Sequence, residues 1–208
     1  RSLVVTGKEW AGDREGVAGR LEETFGYPLV TKPPREGSSV GVTIVRDRAS
    51  LPSGMEEALA WDSAVLVEEF IEGTEFSAIV LEDGPPRVLS VTEITPQSAF
   101  FTYDDKYMPG RCRKFTPPRS MAKETVRRIE EEVLRAYRAL GFRSYGRIDG
   151  FVTGDDRVLI TDPNSSSGMA PSSFFFEQAA EAGLLPSMIL TELIEASRKI
   201  HGRKKGPL

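Results

Sequence analysis

The sequence has very few of the residues that carry nucleophilic catalysis or covalent cross-links. Among its 208 residues there is one cysteine, Cys112, and one histidine, His201. A single cysteine cannot form a disulfide within the chain, so a reducing compartment is expected. His201 belongs to a polar C-terminal tail and is poorly placed to activate Cys112 as a nucleophile. These shortages favour a chemistry that needs no protein nucleophile.

The sequence also lacks long apolar runs and an excess of either charge. No segment approaches the ~20 apolar residues of a transmembrane helix, and we expect no signal peptide. Lys and Arg number 27 against 31 Asp and Glu, a net charge of -4, which gives no support for a nucleic-acid or membrane surface. We therefore expect a cytoplasmic protein with no nucleic-acid or membrane partner. Because the chain lacks an initiator Met and begins directly before a strand-like segment, we also expect a fragment of a longer protein.

A glycine-rich loop is the first candidate site. Residues 29–31 and 42–45 read as short strands, because they are β-branched and bounded by Pro and Gly. Between them, Gly37 and Gly41 bracket Ser38 and Ser39, so we expect positive φ angles and backbone N–H groups turned toward a phosphate. Lys32 closes the first strand as a positive charge beside that loop. A surface hairpin with a chance lysine is the alternative.

Periodicity predicts the remaining elements. Strands are expected at residues 2–6, 65–70, 75–81 and 87–95, and helices at 13–25, 55–61, 123–140, from 173 and at 186–199. Residues 48–54 read as a polar connector. The helix at 123–140 is expected to bury Leu140, and the last helix to bury Leu190 and Ile194. Residues 95–118 have no periodicity and are rich in aromatics, which indicates a functional lid with Lys106 as its ligand-touching charge, or simply a solvated lysine.

Four polar side chains are expected to converge on a hairpin formed by residues 144–152 and 157–162. Side chains alternate along a strand, so Arg147 and Asp149 share one face, and Asp162 and Asn164 share one face of the partner. Opposed carboxylates require a compensating cation. Two carboxylates and an amide oxygen suit Mg²⁺ bound beside nucleotide phosphates, whereas the alternative is a structural Asp–Arg pair.

Taken in order, these blocks resemble the ATP-grasp superfamily, and within it the D-alanine–D-alanine ligases. The resemblance runs from about residue 27 to residue 197. The blocks that carry it are Lys32-Pro with Arg35 to Gly41, Val67 to Phe70 with Glu75-Phe, Tyr103 with Lys106-Tyr107, Gly146 to Asp149, and Asp162-Pro-Asn164 with Gly168-Met. The resemblance implies an α+β class, with two α+β lobes, 1–70 and 71–208, sandwiching a nucleotide. The family's N-terminal substrate lobe is expected to be absent.

The resemblance also implies a role for each site residue. Lys32 would contact the α- and β-phosphates, and Ser38 and Ser39 would lie in the loop that closes over them. Glu68 would accept a hydrogen bond from the adenine amino group, and Glu75 would bind the ribose. The hinge would be formed by Glu69, Phe70 and Ile71, and Lys106 would reach the γ-phosphate. Arg147 and the Gly168 N–H would stabilise the transition state; Asp149, Asp162 and Asn164 would hold two Mg²⁺ ions, with Mn²⁺ as an alternative; and Ser173 and Tyr103 would contact substrate.

The resemblance implies ATP-dependent ligation through an acyl phosphate, with D-alanine as the substrate. The reaction would serve peptidoglycan precursor synthesis. A homodimer is an option for the full-length protein. Two departures from the family pattern bear on this. Asp162 stands where the family usually has Glu, and Ser165 to Gly168 replace a Thr-x-Pro-Gly segment. An ATP-grasp ligase with another amino-acid or hydroxy-acid specificity, and a non-catalytic nucleotide-binding module, are therefore the alternatives.

Overall fold

The computed structural model describes residues 1–37, 39–96 and 112–202, which form two compact units. The first unit is Arg1–Ile71, and the second comprises the described residues from Glu72 onward. Three of the predicted site residues, Ser38, Tyr103 and Lys106, lie outside the described residues. No helix in the described ranges is long and apolar enough to cross a membrane.

The first unit is a four-stranded antiparallel sheet covered by helices. The strand order is β1-β4-β2-β3. Its elements are β1 (Ser2–Thr6), α1 (Gly7–Gly12), α2 (Arg14–Phe25), β2 (Leu29–Lys32), β3 (Thr43–Val45), α3 (Leu51–Leu59) and β4 (Ala64–Glu69). One apolar cluster joins the helices to the sheet, with Leu21, Leu29, Met55 and Val67 fully buried.

Local signals explain most of these boundaries. The Asp13 side chain caps α2 by accepting from the Gly16 N–H at 2.9 Å, and Gly26 ends the helix with φ 68°. Helix α1 was not predicted, because six residues with Trp10 as their one buried side chain are too short to show a helical period. The predicted connector at 48–54 is wrong in its second half, since α3 already begins at Leu51.

The second unit is a five-stranded antiparallel sheet of order β7-β6-β5-β8-β9. Its elements are β5 (Gly73–Leu81), β6 (Arg87–Pro96), β7 (Cys112–Phe115), α4 (Lys123–Ala139), β8 (Tyr145–Thr153), β9 (Val158–Asn164), α5 (Phe174–Glu181) and α6 (Pro186–Gly202). Strand β7 corrects the prediction of irregular structure through residue 118. It pairs with β6 at the edge of the sheet, where charged side chains such as Arg113 are tolerated.

The two faces of this sheet are covered differently. Phe76, Ala78 and Ile148 face α4 and form one core with Ile129 and Val133. The opposite face carries a second core, in which Ile79, Leu81 and Leu89 pack against Phe175, Ala179 and Ile189 of α5 and α6. Beyond that core, the second face becomes polar and carries the residues predicted to perform the chemistry.

Three apolar residues predicted to be buried are exposed instead. Leu140 is 53 % exposed, because it follows the last residue of α4 and no longer lies on the buried face of that helix. Leu190 and Ile194 are 36 % and 58 % exposed, because α6 turns the stripe of Ile189 and Ala196 inward, and these two residues lie about 100° or more away from it around the helix.

Candidate active site

In the first unit, the predicted phosphate lysine forms an ion pair. Lys32 ends β2 and Glu68 lies near the end of β4, and the two strands pair with Val30 opposite Glu68. This register puts Lys32 and Glu68 on the same face, with Lys32 Nζ 2.7 Å from Glu68 Oε2. The pair holds the Lys32 ammonium group on the face that the two strands share. Sequence reasoning assigned these residues separate roles and missed their contact.

The glycine-rich loop joins β2 to β3, which pair as the predicted hairpin. Among the described residues of this loop, Ser39, with φ 61°, and Gly41, with φ 67°, are left-handed, whereas Gly37 does not adopt the positive φ that was predicted for it. Glycine is required at position 41 for a second reason: an added Cβ would lie 2.9 Å from Trp61 Cδ1. The loop therefore turns through left-handed residues, which are partly different from those predicted, and its contact with phosphate remains a prediction.

The predicted hinge follows the same strand. Glu69 is the last residue of β4, and its N–H donates to the Arg1 carbonyl at 3.0 Å. Hydrogen bonds from Arg1 lower the pKa of the Glu69 carboxyl. Phe70 and Ile71 come directly after the strand. The contacts of these residues with a nucleotide remain a prediction.

In the second unit, the predicted hairpin of β8 and β9 is confirmed. Asp149 lies directly opposite Asp162, and Arg147 opposite Asn164. The register shifts by one residue between Asp149 and Gly150, where Thr161 is the extra residue of β9. All four side chains therefore belong to the polar face of the sheet, as the alternation of side chains predicted.

Asp149 is the most constrained member of this group. Arg147 Nε donates to its two oxygens at 3.1 and 3.0 Å, and Arg147 Nη2 lies 2.9 Å from Oδ2. Ser77 of β5 donates to Asp149 Oδ1 at 2.7 Å. Burial raises the pKa of Asp149 to about 6 despite the guanidinium and the hydroxyl, and the charge of Asp162 adds to the increase. Two facing carboxylates, one of them costly to ionise, make a site where a cation would be stabilised.

The arrangement fits Mg²⁺ on the chemistry of its donors. Asp149 and Asp162 supply carboxylate oxygens, and the Asn164 amide nitrogen donates to the Asp162 carbonyl at 2.9 Å, which leaves the amide oxygen for another partner. Hard oxygen donors of this kind, in small number, are how Mg²⁺ is held beside phosphates. Within the described ranges no group of three or more His, Cys, Asp or Glu side chains is arranged to hold a metal ion, so a site here depends on the amide and on the nucleotide.

Ser173, one of the two residues predicted to contact substrate, lies at the start of α5. Ser173 is the N-cap residue, and its buried Oγ has no hydrogen-bond partner among the described residues. The Phe174 ring centroid lies 5.8 Å from Arg147 Cζ and 4.2 Å from Lys114 Nζ. Gly168 is exposed in the loop after β9. The Phe174 ring thus joins the start of α5 to Arg147.

Three polar residues on this face were missed by sequence reasoning. Lys114 was assigned to an irregular lid, although it lies on a strand. Ser77 is two residues after Glu75 and so shares its face of β5, which alternation could have indicated. Gln178 lies on α5, and no local pattern marks it.

The chain has two antiparallel sheets, each packed against helices, and it is similar to solved structures of D-alanine–D-alanine ligases. Its fold is therefore the ATP-grasp fold. A family model described as "D-ala D-ala ligase C-terminus" matches residues 2–195. The chain therefore belongs to the D-alanine–D-alanine ligase family and corresponds to its C-terminal part.

Individual relatives agree with this assignment. A D-alanine–D-alanine ligase of Geobacter sulfurreducens is 38 % identical over 188 residues, covering 89 % of this chain and 58 % of the relative. The structure of D-alanine–D-alanine ligase from Bacillus anthracis complexed with ATP is 27 % identical with a TM-score of 0.78, covering 98 % of this chain and 62 % of that one. VanG D-Ala:D-Ser ligase from Enterococcus faecalis is 29 % identical with a TM-score of 0.78, covering 93 % and 55 %. This chain thus spans less than two thirds of each of the three.

Proposed function

We propose that this chain is the ATP-binding and catalytic part of a ligase that joins two D-alanine molecules in the cytoplasm, for peptidoglycan precursor synthesis. The observation that carries the proposal is the β8–β9 register, which places Asp149 opposite Asp162 and Arg147 opposite Asn164 on one polar face. Membership of the D-alanine–D-alanine ligase family supports it, as does the similarity to the Bacillus anthracis ligase in complex with ATP.

Two bond-forming steps follow from this assignment. A carboxylate oxygen of the first amino acid attacks the γ-phosphorus of ATP, ADP leaves, and an acyl phosphate results. The amine of the second amino acid then attacks the acyl carbon, loses a proton, and inorganic phosphate departs. Both transition states accumulate negative charge on phosphoryl and carbonyl oxygens, so the protein contributes mainly positioning and positive charge.

The chain's own residues can be matched to these demands. In the first unit, Lys32 beside the Ser39–Gly41 turn would hold nucleotide phosphates, with Glu68 keeping its ammonium in place. In the second unit, Arg147 is fixed by Asp149 and would stabilise the transferred phosphoryl group.

The remaining assignments concern the metal and the second substrate. Asp149, Asp162 and Asn164 would hold Mg²⁺, which when bound neutralises charge on the phosphates. The Ser173 hydroxyl, which has no hydrogen-bond partner among the described residues, would donate to the carboxylate of the second amino acid.

The test is phosphate release by the full-length protein with ATP, Mg²⁺ and a panel of D- and L-amino acids. D-alanine alone should release phosphate and yield the dipeptide, and Asp149→Asn should abolish both. Phosphate release that stays at the no-enzyme background with every amino acid would favour the non-catalytic module and refute the proposal.

A second function is favoured by one observation, the similarity to the structure of a D-Ala:D-Ser ligase. In that case the second substrate would be D-serine, selected near Ser173. The same panel distinguishes the two functions. A mixed product formed from D-alanine and D-serine in preference to the D-alanine dipeptide would support the second, and D-lactate in the panel tests for a hydroxy-acid acceptor.

A further inference from the structure

A buried glutamine links helix α5 to the strand that carries Ser77. Gln178 is fully buried, with 0 % exposure. Its Oε1 accepts from the Ile79 N–H at 2.7 Å, and its Nε2 donates to the Ser77 carbonyl at 2.9 Å and to Thr92 Oγ1 at 3.0 Å. Every donor and acceptor atom of the amide therefore has a partner on the sheet.

The position of this contact on the sheet is informative. The register of β5 and β6 shifts between Ala78 and Val80, and Gln178 bonds backbone groups of the residues at 77 and 79, beside the shift. An irregular ladder leaves backbone groups without strand partners, and burying such groups unsatisfied is destabilising. The glutamine amide fixes β5 where the ladder alone does not.

The fixed segment leads directly to the candidate metal site. The Ser77 carbonyl accepts from Gln178, while the Ser77 hydroxyl donates to Asp149 Oδ1 at 2.7 Å. The same helix begins at Phe174, whose ring lies against Arg147. Helix α5 therefore contacts the site twice, through Phe174 on Arg147 and through Gln178 and Ser77 on Asp149.

We propose that Gln178 is a positioning residue that, through Ser77, holds the Asp149 carboxylate in the orientation needed to bind a divalent cation. The inference rests on the proposed function, since it takes Asp149 as a metal ligand. Residues that orient ligands in this way typically change metal affinity by about 10- to 100-fold when removed. A glutamine with a purely structural role would change stability and leave metal affinity alone.

The experiment measures Mn²⁺ affinity in the presence of ADP by electron paramagnetic resonance, alongside urea unfolding. We expect Gln178→Leu and Ser77→Ala each to weaken Mn²⁺ binding about 10-fold or more. Ser77→Thr, which keeps the hydroxyl, should bind nearly as the wild type does. The double variant should lose less than the two single losses combined, because both act on one hydrogen bond.

Tyr137→Phe is the matched control. Tyr137 is buried on the opposite face of the same sheet, and its hydroxyl donates to Glu82 at 3.0 Å. This variant loses one buried hydrogen bond far from Asp149, so its stability should fall while its Mn²⁺ affinity stays unchanged. If Gln178→Leu does not fold, Thr92→Val loosens the same amide and should weaken Mn²⁺ binding in the same direction.

The outcomes separate the inference from the proposed function. Wild-type Mn²⁺ affinity in Gln178→Leu, or a loss no larger than that of Tyr137→Phe, overturns the inference. If Asp149→Asn binds Mn²⁺ and ADP as the wild type does, the metal assignment fails and the inference fails with it. Loss of binding in Asp149→Asn, with full binding in the Gln178 and Ser77 variants, leaves the proposed function standing and removes only the positioning role.

Discussion

The ionisation of Asp149 should make the metal-free protein less stable as the pH rises. Its pKa is raised from 3.8 to about 6 in the folded chain, chiefly by burial. A carboxyl whose pKa is higher in the folded than in the unfolded state stabilises the fold below the unfolded value. That contribution is lost as the pH rises through the folded value. The window for Asp149 is therefore from about pH 4 to above pH 6.

The size of the effect follows from the shift. A difference of about two pKa units, at 1.36 kcal/mol per unit, amounts to about 3 kcal/mol. Asp149→Asn cannot ionise, so it lacks this pH dependence whatever else it loses in hydrogen bonding. The free energy of unfolding of the wild type, minus that of the variant, should accordingly fall by about 3 kcal/mol between pH 4 and pH 7.5.

The assay is urea unfolding with a chelator present, at pH steps across that window. Asp162→Asn is the control, because it keeps Asp149 and should keep most of the wild-type pH dependence. Saturating Mg²⁺ and ADP should stabilise the wild type at pH 7.5 more than they stabilise Asp149→Asn. A wild-type minus variant difference that is flat with pH, or that rises with pH, would refute the reasoning.

Three further predictions concern single side chains. Lys32→Ala should weaken ATP binding, measured by calorimetry, about 10- to 100-fold, because one charged hydrogen bond of ~1.5–3 kcal/mol is lost. Lys8→Ala, which changes an exposed lysine, should leave the ATP affinity unchanged. If Lys32→Ala also leaves it unchanged, Lys32 does not belong to the site. Asp162→Asn should reduce nucleotide binding with Mg²⁺ more than without it, and equal losses would indicate a structural role. Glu93→Gln should cost ~1–3 kcal/mol of stability at pH 7. Burial alone would raise the pKa of Glu93, but hydrogen bonds from the segment before α4 lower it overall. The loss of stability in Glu93→Gln should therefore shrink as the pH falls through the pKa of Glu93 in the folded protein. A loss that stays constant with pH would contradict the prediction.

The residues that sequence reasoning placed correctly are those governed by local periodicity. Arg147 and Asp149 alternate on one strand, and Asp162 and Asn164 on the next, so each pair could be assigned to one face of its own strand. The bulge at Thr161, which no local pattern marks, brings the two pairs to the same face. Helix α4 followed in the same way from the spacing of Ile129 and Val133. In both cases the information lies within one strand or helix and its immediate neighbour.

What the sequence could not show depends on contacts between distant segments. Gln178 and Ser77 are 101 residues apart, and they meet because α5 packs on the polar side of β5. Lys32 and Glu68 meet because β2 and β4 are neighbours in a sheet whose order differs from the chain order. Strand β7 is four residues long and carries two exposed basic side chains, so no alternation distinguishes it from a loop.

The extra residue in β9 sets which face of the sheet receives the end of the strand. Gly150 pairs with Ile160, whereas Asp149 pairs with Asp162, so the bulge at Thr161 shifts the alternation of every later residue in the strand. Ile160 packs with the core under α4, and strict alternation from it would point Asp162 and Asn164 toward that core as well. Deleting Thr161 should therefore leave a regular ladder in which Asp162 still lies opposite Asp149. A one-residue slip of the intact strand, which changes no side chain, would instead remove both predicted ligands from the polar face, so the site depends on the register of one strand as much as on the types of its residues.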